Sequence, residues 1–141
     1  LFTVLVANIG RNIRRIKTEE MAHFQLKSPH VTCLYHLYKS DMTAKELCDV
    51  CDEDKAAVSR SIEFLEENGY VVCASTMKKR YKAPLSLTEK GKEVGRYIAE
   101  KIDAVLKEAS EGINEEDREV LYRTLSLIDT NLQRIATKHG G

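Results

Sequence analysis

Two of the four cysteines in this 141-residue chain form a spaced pair, Cys48-x-x-Cys51, with an evident capacity for chemistry. This spacing occurs in metal sites and in thiol–disulfide pairs. A tetrahedral zinc site needs two more ligands, and no second Cys or His pair is spaced to supply them, so we expect no metal site. We also expect nearby carboxylates to raise the thiol pKa and suppress thiolate chemistry; they are Asp49, Asp52, Glu53 and Asp54. The sequence therefore favours core packing for this pair.

The other two cysteines carry weaker signals. Cys33 lies between His30 and His36. Three ligands at positions i, i+3 and i+6 span too wide an arc of a helix to hold one ion. Cys33 is therefore interpreted as a core residue or as a weak oxidation sensor. Cys73 falls in a predicted strand, where packing is the simplest interpretation.

A second group of chemically capable residues opens a predicted helix near Lys55. Arg60 can donate two hydrogen bonds to guanine O6 and N7. Lys55 and Ser59 suit phosphate or less specific polar contacts. Ala56 and Ala57 are small enough to let a backbone approach, and either can touch a thymine methyl. Taken alone, these residues are more simply interpreted as a solvated helix surface.

A basic cluster further along the chain reverses that preference. It consists of Lys78, Lys79, Arg80 and Lys82, between two predicted strands. Four cations at a hairpin tip repel one another unless a polyanion is near. An arginine at such a tip suits the minor groove of DNA, where negative potential is concentrated. The net charge of the chain is zero, but the local field at a docking face matters more than the total.

Caps and breaks predict the order α-α-α-α-β-β-α-α. The first helix runs to about Met21, and Ser28-Pro29 starts the second, with Ser28 as N-cap. The third opens with the capping box Thr43 to Glu46. Later boundaries are an N-cap at Asp54, a helix stop at Asn68-Gly69, strands 70–75 and 84–87, a cap at Thr88, a break at Gly112 and a cap at Asn114. The fold class is mainly α with a small β-hairpin wing.

The chain resembles the MarR family of bacterial transcriptional regulators. The matching segments are Glu46-Leu47, Val58-Ser59-Arg60, 65–71 (LEENGYV) and 87–91 (LTEKG). The resemblance implies one domain over 1–141, with a winged helix-turn-helix lobe at 28–90 and helical dimerisation regions at 1–22 and 91–138. It implies a homodimer on a pseudo-palindromic operator in double-stranded DNA. Lys78 replaces the Asp that the family wing usually carries two residues before its Arg, here Arg80.

The dimer also has support from the residues. The first, fifth and sixth predicted helices are long and apolar on one face. Together they carry more apolar surface than a small wing domain can cover, so a partner subunit is the economical explanation. The last helix repeats apolar residues at spacings of 4 and 3, a heptad-like seam that also occurs on core-facing helices. We expect the interface to include Leu5, Ile9, Leu121, Leu125, Ile128 and Leu132.

The resemblance implies release by a small lipophilic or phenolic effector. His23, Tyr35, His36 and Tyr38 are candidates for its pocket, and plain core packing is the alternative. No apolar run is long enough to span a membrane, and the N-terminal apolar run does not fit a signal peptide, so we expect a cytoplasmic protein with a few residues before Leu1. No catalytic motif or cofactor signature occurs. A thiol- or metal-sensing regulator and a protein–protein interaction module remain as alternatives.

Overall fold

The computed structural model describes residues 1–51, 53–74 and 82–140. Its elements follow the predicted order, which confirms a mainly helical fold with a two-stranded hairpin. They are α1 Phe2–Glu20, α2 Ser28–Lys39, α3 Ala44–Val50, α4 Lys55–Glu67, β1 Val71–Cys73, β2 Leu85–Leu87, α5 Glu89–Ala109 and α6 Glu115–His139. A short 3₁₀ turn, Ala22–Phe24, follows α1. The chain divides into two compact units, Leu1–Val105 and Leu106–Gly141.

Four of the predicted helix caps are made as expected, at Thr43, Asp54, Thr88 and Asn114. The Thr43–Glu46 capping box is reciprocal: the Glu46 N–H donates to Thr43 Oγ1 at 3.1 Å and the Thr43 N–H donates to Glu46 Oε1 at 3.3 Å. Asp54 Oδ1 accepts the Ala57 N–H at 2.7 Å at the start of α4. Asn114 Oδ1 accepts the Asp117 N–H at 2.8 Å at the start of α6. These bonds satisfy N–H groups that have no partner within the helix.

The predicted cap of α2 is wrong by one residue. Ser28 is the first helical residue and Lys27 is the N-cap. The imidazole of His30 reaches back, and its Nδ1 accepts the Lys27 N–H at 3.1 Å. The His30 ring also stacks on Phe64 of α4, with centroids 4.1 Å apart. The start of α2 is therefore set partly by packing on α4, which the local sequence does not reveal.

The hairpin is shorter than predicted and has an additional attachment. β1 and β2 pair antiparallel, with Val71 opposite Leu87 and Cys73 opposite Leu85. Leu85 also exchanges two backbone hydrogen bonds with Met42, in the link between α2 and α3, at 2.7 and 3.3 Å. Tyr70 is outside the strand because its N–H donates to the Leu65 carbonyl at 2.8 Å, which closes the end of α4.

One apolar core holds α2, α3, α4, the hairpin and the first half of α5 together. Its most deeply buried members come from four helices and include Leu34, Leu47, Leu65 and Ile98. Met21 and Leu26, on either side of the 3₁₀ turn, belong to the same core. The core thus holds α4 through its buried face, which includes Val58, Ile62 and Leu65.

A compact junction joins the end of α4, the base of the hairpin and the start of α5. Gly69 has φ +78, a conformation that favours glycine and ends α4. The Thr88 hydroxyl donates to the Gly69 carbonyl and accepts the Gly91 N–H. The Tyr70 carbonyl accepts the Thr88 N–H at 3.0 Å. Several backbone groups at this junction are therefore satisfied by one threonine.

Gly91 packs directly against the backbone of Tyr70. A Cβ at this position would overlap the Tyr70 carbonyl oxygen and lie 3.2 Å from Leu87 Cβ. The first turn of α5 could accept a larger residue only by moving away from the hairpin base. The close approach explains why a glycine stands inside an otherwise regular helix.

We predict that Gly91→Ala destabilises the fold by about 3 kcal/mol, since the added methyl meets backbone and cannot be relieved by a rotamer change. Gly10→Ala is the matched control, because its Cβ meets only the end of the flexible Arg14 side chain. We expect the control to be neutral or stabilising by up to about 1 kcal/mol. Urea denaturation followed by circular dichroism measures both, and equal stabilities would contradict the close-packing account.

Candidate nucleic-acid interface

The first two turns of α4 present the side chains that the sequence singled out. Lys55, Ala56, Ser59 and Arg60 are exposed, and Ala57 is half-buried. The opposite face carries the buried residues Val58, Ser61, Ile62 and Leu65. This separation follows from helical spacing, since residues three and four apart share a face. The structure therefore brings four predicted contact residues together on one solvent-facing surface, and leaves Ala57 at its edge.

Charge changes sign along α4. Lys55 and Arg60 lie in its first half, whereas Glu63, Glu66 and Glu67 lie in its second half. The three glutamates line a groove of about 500 Å³ between α4 and the hairpin, together with Ser59, Cys73 and Leu85. Carboxylates repel phosphates, so only the N-terminal half of α4 suits a polyanion. The positive end of the helix dipole lies at the same end.

The predicted wing contacts fall largely outside the described residues. Lys78, Lys79 and Arg80 are not among them. Lys82 is described and exposed, directly before the buried Ala83. Ala83 and Leu85 anchor this end of the hairpin in the protein interior. Lys82 is therefore an exposed residue three positions before β2, next to the buried Ala83.

Two lysines that follow the predicted wing, Lys90 and Lys92, have structural partners. Lys90 Nζ donates to the Asn68 carbonyl at 2.8 Å and lies 4.3 Å from the centroid of the Tyr70 ring. Lys92 Nζ lies 3.6 Å from Glu89 Oε1. Lys90 thus reinforces the junction behind α4. Lys90 and Lys92 therefore make structural contacts, whereas Lys82 is exposed.

The pKa of Cys51 differs from what its sequence neighbours suggest. Interaction with the Cys33 thiol of α2 is the main cause that lowers the Cys51 pKa, and the same interaction, together with burial, raises the Cys33 pKa. The charge of Lys17 lowers the Cys51 pKa further, against the opposing effects of burial and Glu53. Our expectation that acidic neighbours raise this thiol pKa is wrong for Cys51. The expectation considered neighbours in sequence and missed Lys17 and Cys33.

The predicted core packing of the cysteines agrees with the structure. Cys33 and Cys51 are buried members of the core, and Cys48 and Cys73 are half-buried against it. Across residues 1–51, 53–74 and 82–140, no group of three or more His, Cys, Asp or Glu side chains is arranged to hold a metal ion.

The four aromatic and imidazole candidates for an effector pocket lie in different surroundings. His23 packs edge-on against Tyr97 at a centroid distance of 5.7 Å. Tyr35 contacts His36 edge-on at 5.4 Å. His36 lines a crevice of about 140 Å³ with Arg14 and Lys17, and burial followed by the Lys17 charge lowers its pKa. Tyr38 lines a separate groove of about 990 Å³ between α2 and α5. These four residues therefore do not line one shared pocket.

The larger groove has a charged lining. Lys39, Lys90, Lys92 and Arg96 face it together with Asp41, Glu89 and Glu93. Such a lining differs from the mostly apolar surface that a lipophilic ligand needs. The groove thus gives no particular support to a phenolic effector.

Comparison with known proteins identifies a winged-helix segment and the fold. Residues 26–91 match the family described as winged helix DNA-binding domain. No curated protein matches the sequence. Among solved structures, a MarR protein from Peptoclostridium difficile superposes with a TM-score of 0.84 at 20% identity, covering 97% of this chain and 90% of that chain.

Two further solved structures show the same fold. A Listeria monocytogenes protein of the MarR transcriptional regulator type, complexed with 26mer DNA, has a TM-score of 0.81 at 23% identity, covering 96% of this chain and 93% of that one. A MarR family regulator from Neisseria meningitidis has a TM-score of 0.79 at 17% identity and covers 99% of both chains. The winged helix-turn-helix architecture expected from the sequence is thereby confirmed. Within the described residues, no helix has the length and apolar content to cross a membrane.

We predict that Asp54→Ala destabilises the protein by about 1 kcal/mol, because the Ala57 N–H loses its acceptor. The loss falls on the turn that carries Lys55 and Ala56, so hydrogen exchange of the α4 amides should rise at its N-terminal end. Asp54→Ser is the control, since a serine hydroxyl can accept the same bond. Unchanged exchange in Asp54→Ala would show that packing alone holds this turn.

Proposed function

Since the chain has the fold of the MarR-family regulators, we propose that it is a sequence-specific DNA-binding transcriptional regulator, acting as a repressor. The observation that carries this proposal is the exposed N-terminal half of α4, with Lys55, Ser59 and Arg60 on a capped turn inside the winged helix DNA-binding segment. In helix-turn-helix proteins, this part of the second helix meets base edges.

Arg60 is the residue that we assign to base recognition. Its guanidinium can pair with guanine through two hydrogen bonds, which discriminates against other bases. Lys55 and Ser59 are assigned to phosphates or to weaker polar contacts, while Ala56 and Ala57 allow close approach. The Listeria protein of the same fold was solved with DNA, which supports the same use of the fold here.

The wing supplies the second contact in this proposal. Lys78, Lys79, Arg80 and Lys82 are placed against the backbone or minor groove by their charge and by their position between the strands. Because Lys78 stands where the resemblance leads us to expect Asp, the wing is assigned a larger share of phosphate contacts. Phosphate contacts of this kind make binding strongly salt-dependent.

We further propose that the protein acts as a homodimer on a pseudo-palindromic operator. In α1, the side chains of Leu5 and Ile9 are 51% and 57% exposed, and no residue of this fully described helix is buried. In α6, Leu121, Leu125, Leu132 and Ile135 are exposed on one stripe, beside the half-buried Ile128. Apolar stripes of this length are covered in stable proteins. A second copy covers them symmetrically and places half-sites about 10 bp apart.

Release by a small lipophilic or phenolic effector completes the proposal. An effector acts by binding the form whose two recognition helices no longer match the half-sites. It shifts the population only as far as its affinities for the two forms differ. A screen by thermal shift with phenolic acids and related compounds tests this part, and compounds that stabilise the protein should weaken its binding to DNA.

We predict that Arg60→Ala weakens specific binding by about 5- to 150-fold, corresponding to the loss of one bidentate base contact. The probe is a fluorescent duplex from the promoter beside its own gene, with a random duplex of equal length for comparison. Lys107→Ala, which removes an exposed positive charge from the later part of α5, is the control and should stay within about twofold.

Two results of this measurement would count against the proposal. Equal affinity for both duplexes in the unmodified protein would favour a protein–protein interaction module. Equal losses in the Arg60 and Lys107 variants would show that only total charge matters.

We predict that the double substitution Leu125→Glu and Leu132→Glu weakens dimerisation by about 100-fold or more, because two apolar side chains leave the interface. Thr130→Glu introduces one such charge between these positions but off the heptad stripe, and should leave the dimer intact. Sedimentation velocity over a range of concentrations measures both. A monomeric unmodified protein would rule out the homodimer.

A further inference from the structure

The imidazole of His30 makes two contacts at the start of α2, one to its own helix and one to α4. Its Nδ1 accepts the backbone N–H of Lys27, the N-cap of α2, at 3.1 Å. Its ring stacks face to face on Phe64 of α4, with centroids 4.1 Å apart and the two planes only 8° from parallel. The same ring therefore closes the beginning of α2 and packs against α4.

The hydrogen bond to Lys27 requires a neutral ring. An imidazole nitrogen accepts a hydrogen bond only through a free lone pair, so the ring proton must lie on Nε2. When a second proton binds Nδ1, both ring nitrogens become donors, and the new N–H faces the N–H of Lys27. The bond between His30 and the N-cap is therefore incompatible with the charged form of the ring.

The surroundings of His30 also disfavour a positive charge. The ring is half-buried, and burial is the first cause that lowers the His30 pKa, followed by the charge of Lys27. His30 is the third residue of α2, close to the positive end of the helix dipole. The face of Phe64 attracts a cation to some extent, but the net shift of the His30 pKa is downward.

Charged groups of both signs lie on the elements around the start of α2. Within one turn of Phe64, α4 carries Arg60, Glu63, Glu66 and Glu67. Around the helix from His30, the crevice beside Ser28, Pro29 and Thr32 is lined by Arg14 and Lys17 of α1 and by Glu53. Among the described residues, Lys27 carries the charge that shifts the His30 pKa, and no carboxylate is a cause of the shift. The neutral ring is therefore not opposed by an acidic partner.

We propose that His30 is a positioning residue for α4, and that protonation of its ring releases the start of α2 from α4. In the neutral form, the ring holds the Lys27 N–H and the face of Phe64 at the same time. One proton from solvent binds Nδ1, the hydrogen bond to Lys27 breaks, and the imidazolium turns toward water. Phe64 then loses the ring that covers it, and α4 loses one of its contacts with α2.

The direction of the pH effect follows from the lowered pKa of His30. In the unfolded chain this histidine has the ordinary pKa of about 6.5, and in the folded protein the pKa is lower. Between the two values the unfolded chain binds more protons than the folded one. The stabilisation from the neutral ring is therefore complete above about pH 6.5 and is lost as the pH falls through the folded-state pKa.

The consequence for DNA rests on the proposed function. Phe64 lies four residues after Arg60, so the two side chains are neighbours on α4, one turn apart. The stack on His30 holds the turn that directly follows Arg60. When the stack is lost, the position of Arg60 relative to the core is less well defined, and we expect weaker binding to DNA.

The first experiment observes the ring itself without using DNA. Long-range proton–nitrogen NMR spectra of the labelled protein report the tautomer and the titration of each histidine, and His30→Gln assigns the signals of His30. We expect the Nε2–H tautomer at neutral pH and a midpoint below the ordinary value of about 6.5. The Lys27 amide proton should shift with the same midpoint, because it loses its acceptor in the same step. An Nδ1–H tautomer, or a midpoint at or above the ordinary value, would overturn the proposal.

Two substitutions separate the hydrogen bond from the stack. His30→Gln keeps an acceptor that can reach the N-cap N–H and has no titrating group. His30→Phe keeps an aromatic ring against Phe64 and has no acceptor. Thermal melts at about pH 7.5 and about pH 5.5, on either side of the ordinary histidine pKa, compare them with the unmodified protein. We expect acidification to lower the melting temperature of the unmodified protein by about 2 to 6 °C more than that of His30→Gln or His30→Phe.

His139→Gln is the matched control, because it removes an exposed imidazole at the end of α6. This variant should respond to acidification as the unmodified protein does. Circular dichroism shows whether each variant folds, and His30→Gln alone decides the result where the phenylalanine variant does not fold. An equal response of His30→Gln and the unmodified protein, or a response that disappears in His36→Gln instead, would each overturn the proposal.

The last experiment separates this proposal from the proposed function. Anisotropy with the promoter duplex gives the ratio of dissociation constants at the lower and the higher pH. Other groups also titrate, so the ratio of the unmodified protein is compared with that of His30→Gln. We expect it to be about three- to tenfold larger in the unmodified protein. If the unmodified protein binds no DNA at the higher pH, the proposed function fails while the titration and the melts still test His30. If the two ratios are equal, the effect on DNA binding is overturned.

Discussion

The backbone carbonyl of Tyr70 is the point on which the arrangement of the winged-helix lobe depends. It accepts the Thr88 N–H, and Gly91 packs against it so closely that any side chain would displace one of the two segments. The Thr88 hydroxyl closes the same junction through Gly69 and Gly91. These contacts relate the end of α4 to the base of the hairpin and to the start of α5. A few backbone groups thus fix α4 relative to β1, β2 and the start of α5.

The polarity of α4 follows from its surroundings as well as its own residues. The cap at Asp54 orders the first turn, the buried face holds the helix on the core, and the glutamates of the second half face the groove beside the hairpin. A chain with zero net charge therefore separates the charges of α4, with Lys55 and Arg60 in its first half and the glutamates in its second half. The local field, and not the sum over the chain, governs approach to a polyanion.

The sequence alone determined the order of the elements and the start of α4, where the DNA contacts are predicted, because caps such as Thr43 and Asp54 act over three or four residues. It also carried the family resemblance, and Lys78, Lys79 and Arg80 stay predictions from charge and position. Only the tertiary structure decided which lysine supports the junction and how His30 starts α2. These contacts join residues far apart in the chain, and neither local propensity nor spacing encodes their distance. They arise when α2, α3, α4 and α5 close around one core, where packing selects the partners.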